Sequence, residues 1–181
     1  MKNIYIVNYC SPGCVPLKSV TQVDESNAFE FAKELSVNNS GTSFNRFGND
    51  FKWYYPKRIR TEEWLYDRFV ALGGKPMTQH PVYFVVNGSD YLNKWFGGGR
   101  ITKLLLNDID SKDISFTFGD SMSKMDKPER EDPFLKETLF GLIEKYDSNI
   151  NLFINDICKG FNYIEAQLWN DKYFKDCISS L

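Results

Sequence analysis

Phe161-Asn162-Tyr163-Ile164-Glu165-Ala166-Gln167-Leu168-Trp169, late in the chain, anchors the architecture. Its aromatic and β-branched residues make it a strand. Side chains alternate along a pleated strand, so Glu165 and Gln167 share one face while Ile164, Ala166 and Leu168 take the other. A carboxylate beside an amide on a rigid strand can grip the hydroxyls of a sugar. The same alternation also suits an edge strand with one solvated face.

Outward from this stretch, Val82-Tyr83-Phe84-Val85-Val86 is the most strand-like run and reads as central in a sheet. Further strands are expected over 4–9, 51–55, 101–106 and 114–118, the last with clean alternation. Helical spacing of apolar residues, with caps and acidic first turns, predicts helices from Asp24 or Ser26 to about Leu35, from Thr61 to Leu72, over 135–146 and over 150–157. A short one is expected from Ser89 or Asp90 through Phe96, and one or two helical turns over 171–178. Gly73-Gly74 stops the second helix, and Gly97-Gly98-Gly99 forms a turn with no phosphate-loop signature. Strands and helices are interspersed without a regular βαβ rhythm, which gives the class α+β, mainly antiparallel, with flanking helices. One domain spans 1–181, and 119–133 is expected to be a mobile polar loop because it is longer than ordinary connections.

Composition narrows the function classes. The 22 basic and 24 acidic residues leave a net charge of -2, so no basic field supports nucleic-acid binding. No apolar run reaches the ~20 residues of a membrane helix, and the N-terminus lacks a signal-peptide pattern. A cytoplasmic protein with reduced thiols is therefore expected. Cys10 and Cys14 flank Ser-Pro-Gly as half of a metal site whose second half is missing, so no metal is expected.

Several residues could carry chemistry. Arg58 and Arg60 are expected to leave the end of the strand over 51–55, or to form an exposed pair facing Glu62 and Glu63. His80, the only histidine, stands at a loop-to-strand boundary, where a backbone carbonyl commonly satisfies such a ring. Ser115 and Thr117 put two hydroxyls on one strand face. A sheet could thus gather Arg, His and Glu from three strands.

Arg58 in Tyr54-Tyr55-Pro56-Lys57-Arg58, then His80-Pro81-Val82-Tyr83-Phe84 or Ser115-Phe116-Thr117, then Glu165 in a late strand, is an order that resembles the ADP-ribosyltransferase-like superfamily. Gln167 follows Glu165 by two positions, where the family's paired residue precedes it. The resemblance implies NAD as co-substrate in the cleft of a split sheet, held by Arg58, His80, Ser115, Thr117 and Gln167, with Tyr83 or Trp169 stacked on a flat ring. It also implies Glu165 as the catalytic carboxylate, stabilising an oxocarbenium-like ribose as nicotinamide leaves. The acceptor or protein partner is left open. Two other readings compete: a non-catalytic protein-binding domain presenting Trp53, Tyr54, Tyr55 and the 119–133 loop, and a metal-dependent nuclease built on Asp113 or Asp120 with Glu165.

Overall fold

The computed structural model describes residues 3–38 and 46–175. Five strands form one antiparallel sheet: β1 (Tyr5–Cys10), β2 (Val82–Val86), β3 (Arg100–Leu105), β4 (Ile114–Phe118) and β5 (Ile164–Leu168), in the spatial order β3-β1-β2-β5-β4. Around it stand α1 (Glu25–Asn38), α2 (Arg46–Asn49), α3 (Phe51–Ala71), α4 (Asp90–Trp95), α5 (Lys136–Glu144) and α6 (Ile150–Ile157). The class is α+β, as the sequence implies.

Parity along each strand sorts the two faces. Ile6, Phe84, Ala166 and Phe116 turn to one side and are sealed by Leu139 and Ile143 of α5 and Phe153 of α6. The opposite parity places Tyr83, Glu165, Gln167, Ser115 and Thr117 on the other side, beneath α3. There Leu65 and Phe69 of α3 close on Trp169, whose ring stacks on Phe69 at 5.7 Å.

Strand β5 is no edge. It lies between β2 and β4, and all five of its residues are buried. Its polar face is covered by α3, and this is what turns an ordinary alternation into a buried polar layer.

The strand expected over 51–55 is instead the first part of α3. Phe51, Tyr54 and Tyr55 fall at the i, i+3, i+4 spacing that shares a helix face. They pack there with Ala28 and Ala32 of α1 and with Phe47 of α2, Phe51 contacting Phe47 at 5.4 Å and Tyr55 at 5.5 Å. Pro56 lies inside the helix, so the aromatic face holds this turn despite one absent backbone donor. Arg58 therefore sits on a helix above the sheet, not at a strand end.

β1 pairs with β3 over its full length but with β2 only through Ile6↔Val86 and Val7↔Val85. Beyond Val7 the ladder gives way to a side chain, as Asn8 donates from Nδ2 to the Tyr83 carbonyl at 2.8 Å. Residues 119–133 run as successive turns along α3. Asp126 pairs with Lys57 and Arg60, Asp132 pairs with Arg68, and the Arg130 guanidinium lies 4.0 Å from the centre of the Trp64 ring. Of the turns expected over 171–178, Asp171–Tyr173 form a single 3-10 turn, and 176–178 lie outside the described residues.

Candidate functional site

Three donors converge on one oxygen of Glu165. Oε2 accepts from the Ser121 backbone N–H at 3.2 Å, from Gln167 Nε2 at 3.1 Å and from Thr117 Oγ1 at 3.3 Å. Behind them the layer continues: Gln167 Nε2 also reaches Thr117 Oγ1, Ser115 Oγ donates to Gln167 Oε1 at 2.9 Å, and Trp169 Nε1 donates to Ser115 Oγ at 3.0 Å. This chain of buried hydrogen bonds fixes the carboxyl plane.

Glu165 is 6% exposed. Burial, and next the neighbouring Asp120 carboxylate, push its pKa up to about 7, while Arg58 and contacts from Ser121 pull the other way. A carboxyl group so poised exchanges its proton near neutrality, the range in which acid–base and electrostatic roles are useful.

Arg58 supplies the nearby cation. Its guanidinium lies 3.7 Å from the centre of the Tyr83 ring, and Nε donates to Glu62 Oε1 at 2.9 Å. The second oxygen of Glu62, a residue with no exposed surface, bonds His80 Nδ1 at 2.8 Å. His80 is thus tied to Arg58 through one shared carboxylate, across a helix and a strand entry. Burial works against the Arg58 charge, but the groups around it, the Glu62 and Glu165 carboxyls among them, hold its pKa well above the ordinary value. Burial likewise raises Tyr83 well above a normal phenol, so it stays protonated.

These groups line a cleft of about 300 Å³, within the range of small-molecule sites. Glu165 and Asp120 are its carboxyl groups and Arg58 its guanidinium, and Tyr54, Tyr83, Tyr91, Trp95 and Tyr163 give it aromatic walls. Tyr91 and Trp95, one helical turn apart on α4, stack at 6.1 Å.

The structure therefore divides the expected residues. Glu165, Arg58 and Tyr83 border the cleft together. His80 does not reach it and acts on Arg58 from behind, through Glu62. Ser115, Thr117 and Gln167, expected at a cofactor, are buried beneath the cleft because α3 covers that face, and they serve Glu165 instead. Trp169 is fully buried against Phe69 and offers no stacking face to a ligand. The Arg58–Glu62 pair forms as the i, i+4 spacing suggests, yet Glu62 is fully buried and Arg58 is largely so, with 14% of its side chain exposed.

The aromatic surface imagined at 53–55 reduces to Trp53, which is exposed; Tyr54 lines the cleft and Tyr55 is buried in the α1–α3 cluster. Asp113 is taken up by Asn170, Lys172 and Tyr173 and does not join Glu165. Among the described residues no group of three or more His, Cys, Asp or Glu side chains is placed to hold a metal ion, and no helix is long and apolar enough to cross a membrane.

Sequence reasoning placed Glu62 only in an exposed ion pair, whereas it is buried, and gave no site role to Asn8 of β1, Tyr91 of α4 or Tyr163 before β5, whose roles come from elements meeting in space. Only the Arg58–Glu62 spacing carried a signal. Comparison with known families, curated proteins and solved structures returns no family model, no protein and no structure that matches this chain.

Proposed function

We propose that the cleft binds the ribosyl part of NAD and that Glu165 assists rupture of its glycosidic bond to nicotinamide. The observation that carries the reading is the carboxyl group itself: one oxygen pinned by three donors, beside an arginine and an aromatic-walled hollow. As the C–N bond breaks, its electron pair leaves with nicotinamide and positive charge develops on the ribose. A fixed carboxylate stabilises that charge without reorganising. Asp120 in the same wall adds to the negative potential, and the aromatic rings suit a flat leaving group. A nucleophile, water or an acceptor hydroxyl or amine, then bonds to the ribosyl carbon and releases its proton.

The elevated pKa of Glu165 favours one alternative, hydrolysis of an O-glycoside in which protonated Glu165 donates to the leaving oxygen. The two differ in the sign of their pH dependence. Nicotinamide release needs the carboxylate and rises as pH increases through about 7, whereas a general acid loses activity over the same interval.

The test is release of nicotinamide from NAD by the purified full chain. Turnover that Glu165→Gln abolishes supports the reading; equal turnover by the variant assigns the carboxyl group a structural task and overturns it.

A further inference from the structure

A second hollow adjoins the cleft. Of about 430 Å³, it lies between the β1 end of the sheet and the α1–α3 layer, and it shares Asn8, Tyr9, Tyr54, Arg58, Tyr83 and Phe96 with the first as a common wall. Away from that wall its lining is mostly apolar, with Val20, Val23, Phe31, Ala32, Leu35 and Phe47, and Lys18, Ser19 and Asn27 add polar groups. The hollow opens to solvent, with Phe31 and Val15 of its wall exposed, so a ligand can enter it from outside. The wall also holds two buried polar atoms with no hydrogen-bond partner among the described residues, Asn8 Oδ1 and Tyr83 Oη. Buried polar atoms seldom stay unpaired.

We infer that this chamber takes an apolar alkyl or aryl group belonging to the ligand whose hydroxylated part lies over Glu165. The polar half of the inference rests on the ribosyl reading above; the apolar half does not. Continuity across one wall selects a single two-part ligand over two unrelated ones. An uncharged tail would fill the space between Val23 and Phe47 without stranding a charge there.

Cys14 lines the chamber and is partly exposed, whereas Cys158 lies outside it and is exposed, so the pair reports occupancy directly. The experiment measures carbamidomethylation of both thiols by peptide mass spectrometry in the full chain, with octanol and octyl β-D-ribofuranoside as probes. Both probes are expected to slow Cys14 about fivefold or more while sparing Cys158, the riboside at roughly tenfold lower concentration because its two halves bind as one. Unchanged Cys14 labelling with both probes overturns the apolar site. Equal potency of octanol and riboside overturns the shared ligand and leaves a pocket for free lipid. Glu165→Gln should weaken protection by the riboside and not by octanol, and an equal loss of protection with both probes would contradict the assignment. Failure of NAD cleavage alone leaves the Cys14 result unmoved, so the two readings fail separately.

Discussion

A carboxyl group held in a protein interior with its proton half-bound at neutrality destabilises the fold that holds it. Glu165 has a folded-state pKa raised to about 7, above the ~4.3 of an unfolded Glu. The fold therefore keeps a proton that the unfolded chain releases. Its contribution to stability is full below about pH 4 and is lost as pH rises towards 7. Glu165→Gln keeps the shape, accepts the same donors through its amide oxygen and cannot ionise. Urea melts should find it more stable than the parent by about 4 kcal/mol at pH 8, with the gap closing near pH 4. Thr117→Val removes one of the three donors to Oε2. Its predicted effects are a Glu165 titration midpoint higher than the parent's, read by pH-dependent melts, and a loss of about 1 kcal/mol from the hydrogen bond. The pairing of Glu165 with Gln167 on one face was legible from alternation alone. That Gln167 works for Glu165 and not for a ligand was not legible, because it depends on what lies above the strand.

At the scale of elements, α3 is the part that makes the site. It covers the polar face of β4 and β5, lays Arg58 on Tyr83 and closes over Trp169. Its C-terminus was legible: Gly73 takes φ +95 and donates to the Val70 carbonyl, and Gly74 donates to Phe69, a Schellman stop. Its N-terminal part was not, because Phe51-Lys52-Trp53-Tyr54-Tyr55 has strand-forming residues and Pro56 follows them. Tertiary packing of Phe51 and Tyr55 overrides that local preference. A Cβ on Gly74 would approach the Phe69 ring to 2.5 Å, displacing the ring that stacks on Trp169. Gly74→Ala should thus cost about 1–3 kcal/mol in denaturant melts and perturb Trp169 fluorescence. Unchanged stability and emission would mean that α3 does not rest on Trp169 as described.

For the whole molecule, a second carboxylate acts in the opposite sense. Asp113, just before β4, receives Lys172 Nζ at 2.8 Å, Tyr173 Oη at 2.6 Å and Asn170 Nδ2 at 3.2 Å, clasping β4 to the segment after β5. Burial works to raise its pKa, but these three hydrogen bonds outweigh it and hold it below the ordinary value. The stability it contributes is present above the unfolded value of ~3.9 and is lost as pH falls through the lowered one. Asp113 thus weakens the fold on the acid side and Glu165 on the approach to neutrality, so together they favour maximal stability near pH 4–5. Asp113→Asn should flatten only the acid limb of the stability profile, and Glu165→Gln only the other. Strands and helices interspersed without a regular βαβ rhythm made the α+β class legible. The clasp was hidden because Asp113 and Lys172 are distant in sequence and meet only once the sheet is built. The most direct test of the account is a carbon-detected NMR titration of the Glu165 carboxyl in the full chain, with and without NAD. A midpoint near 7 and a resonance that moves when NAD is added are predicted; a midpoint close to the ~4.3 of an ordinary Glu, indifferent to NAD, would contradict it.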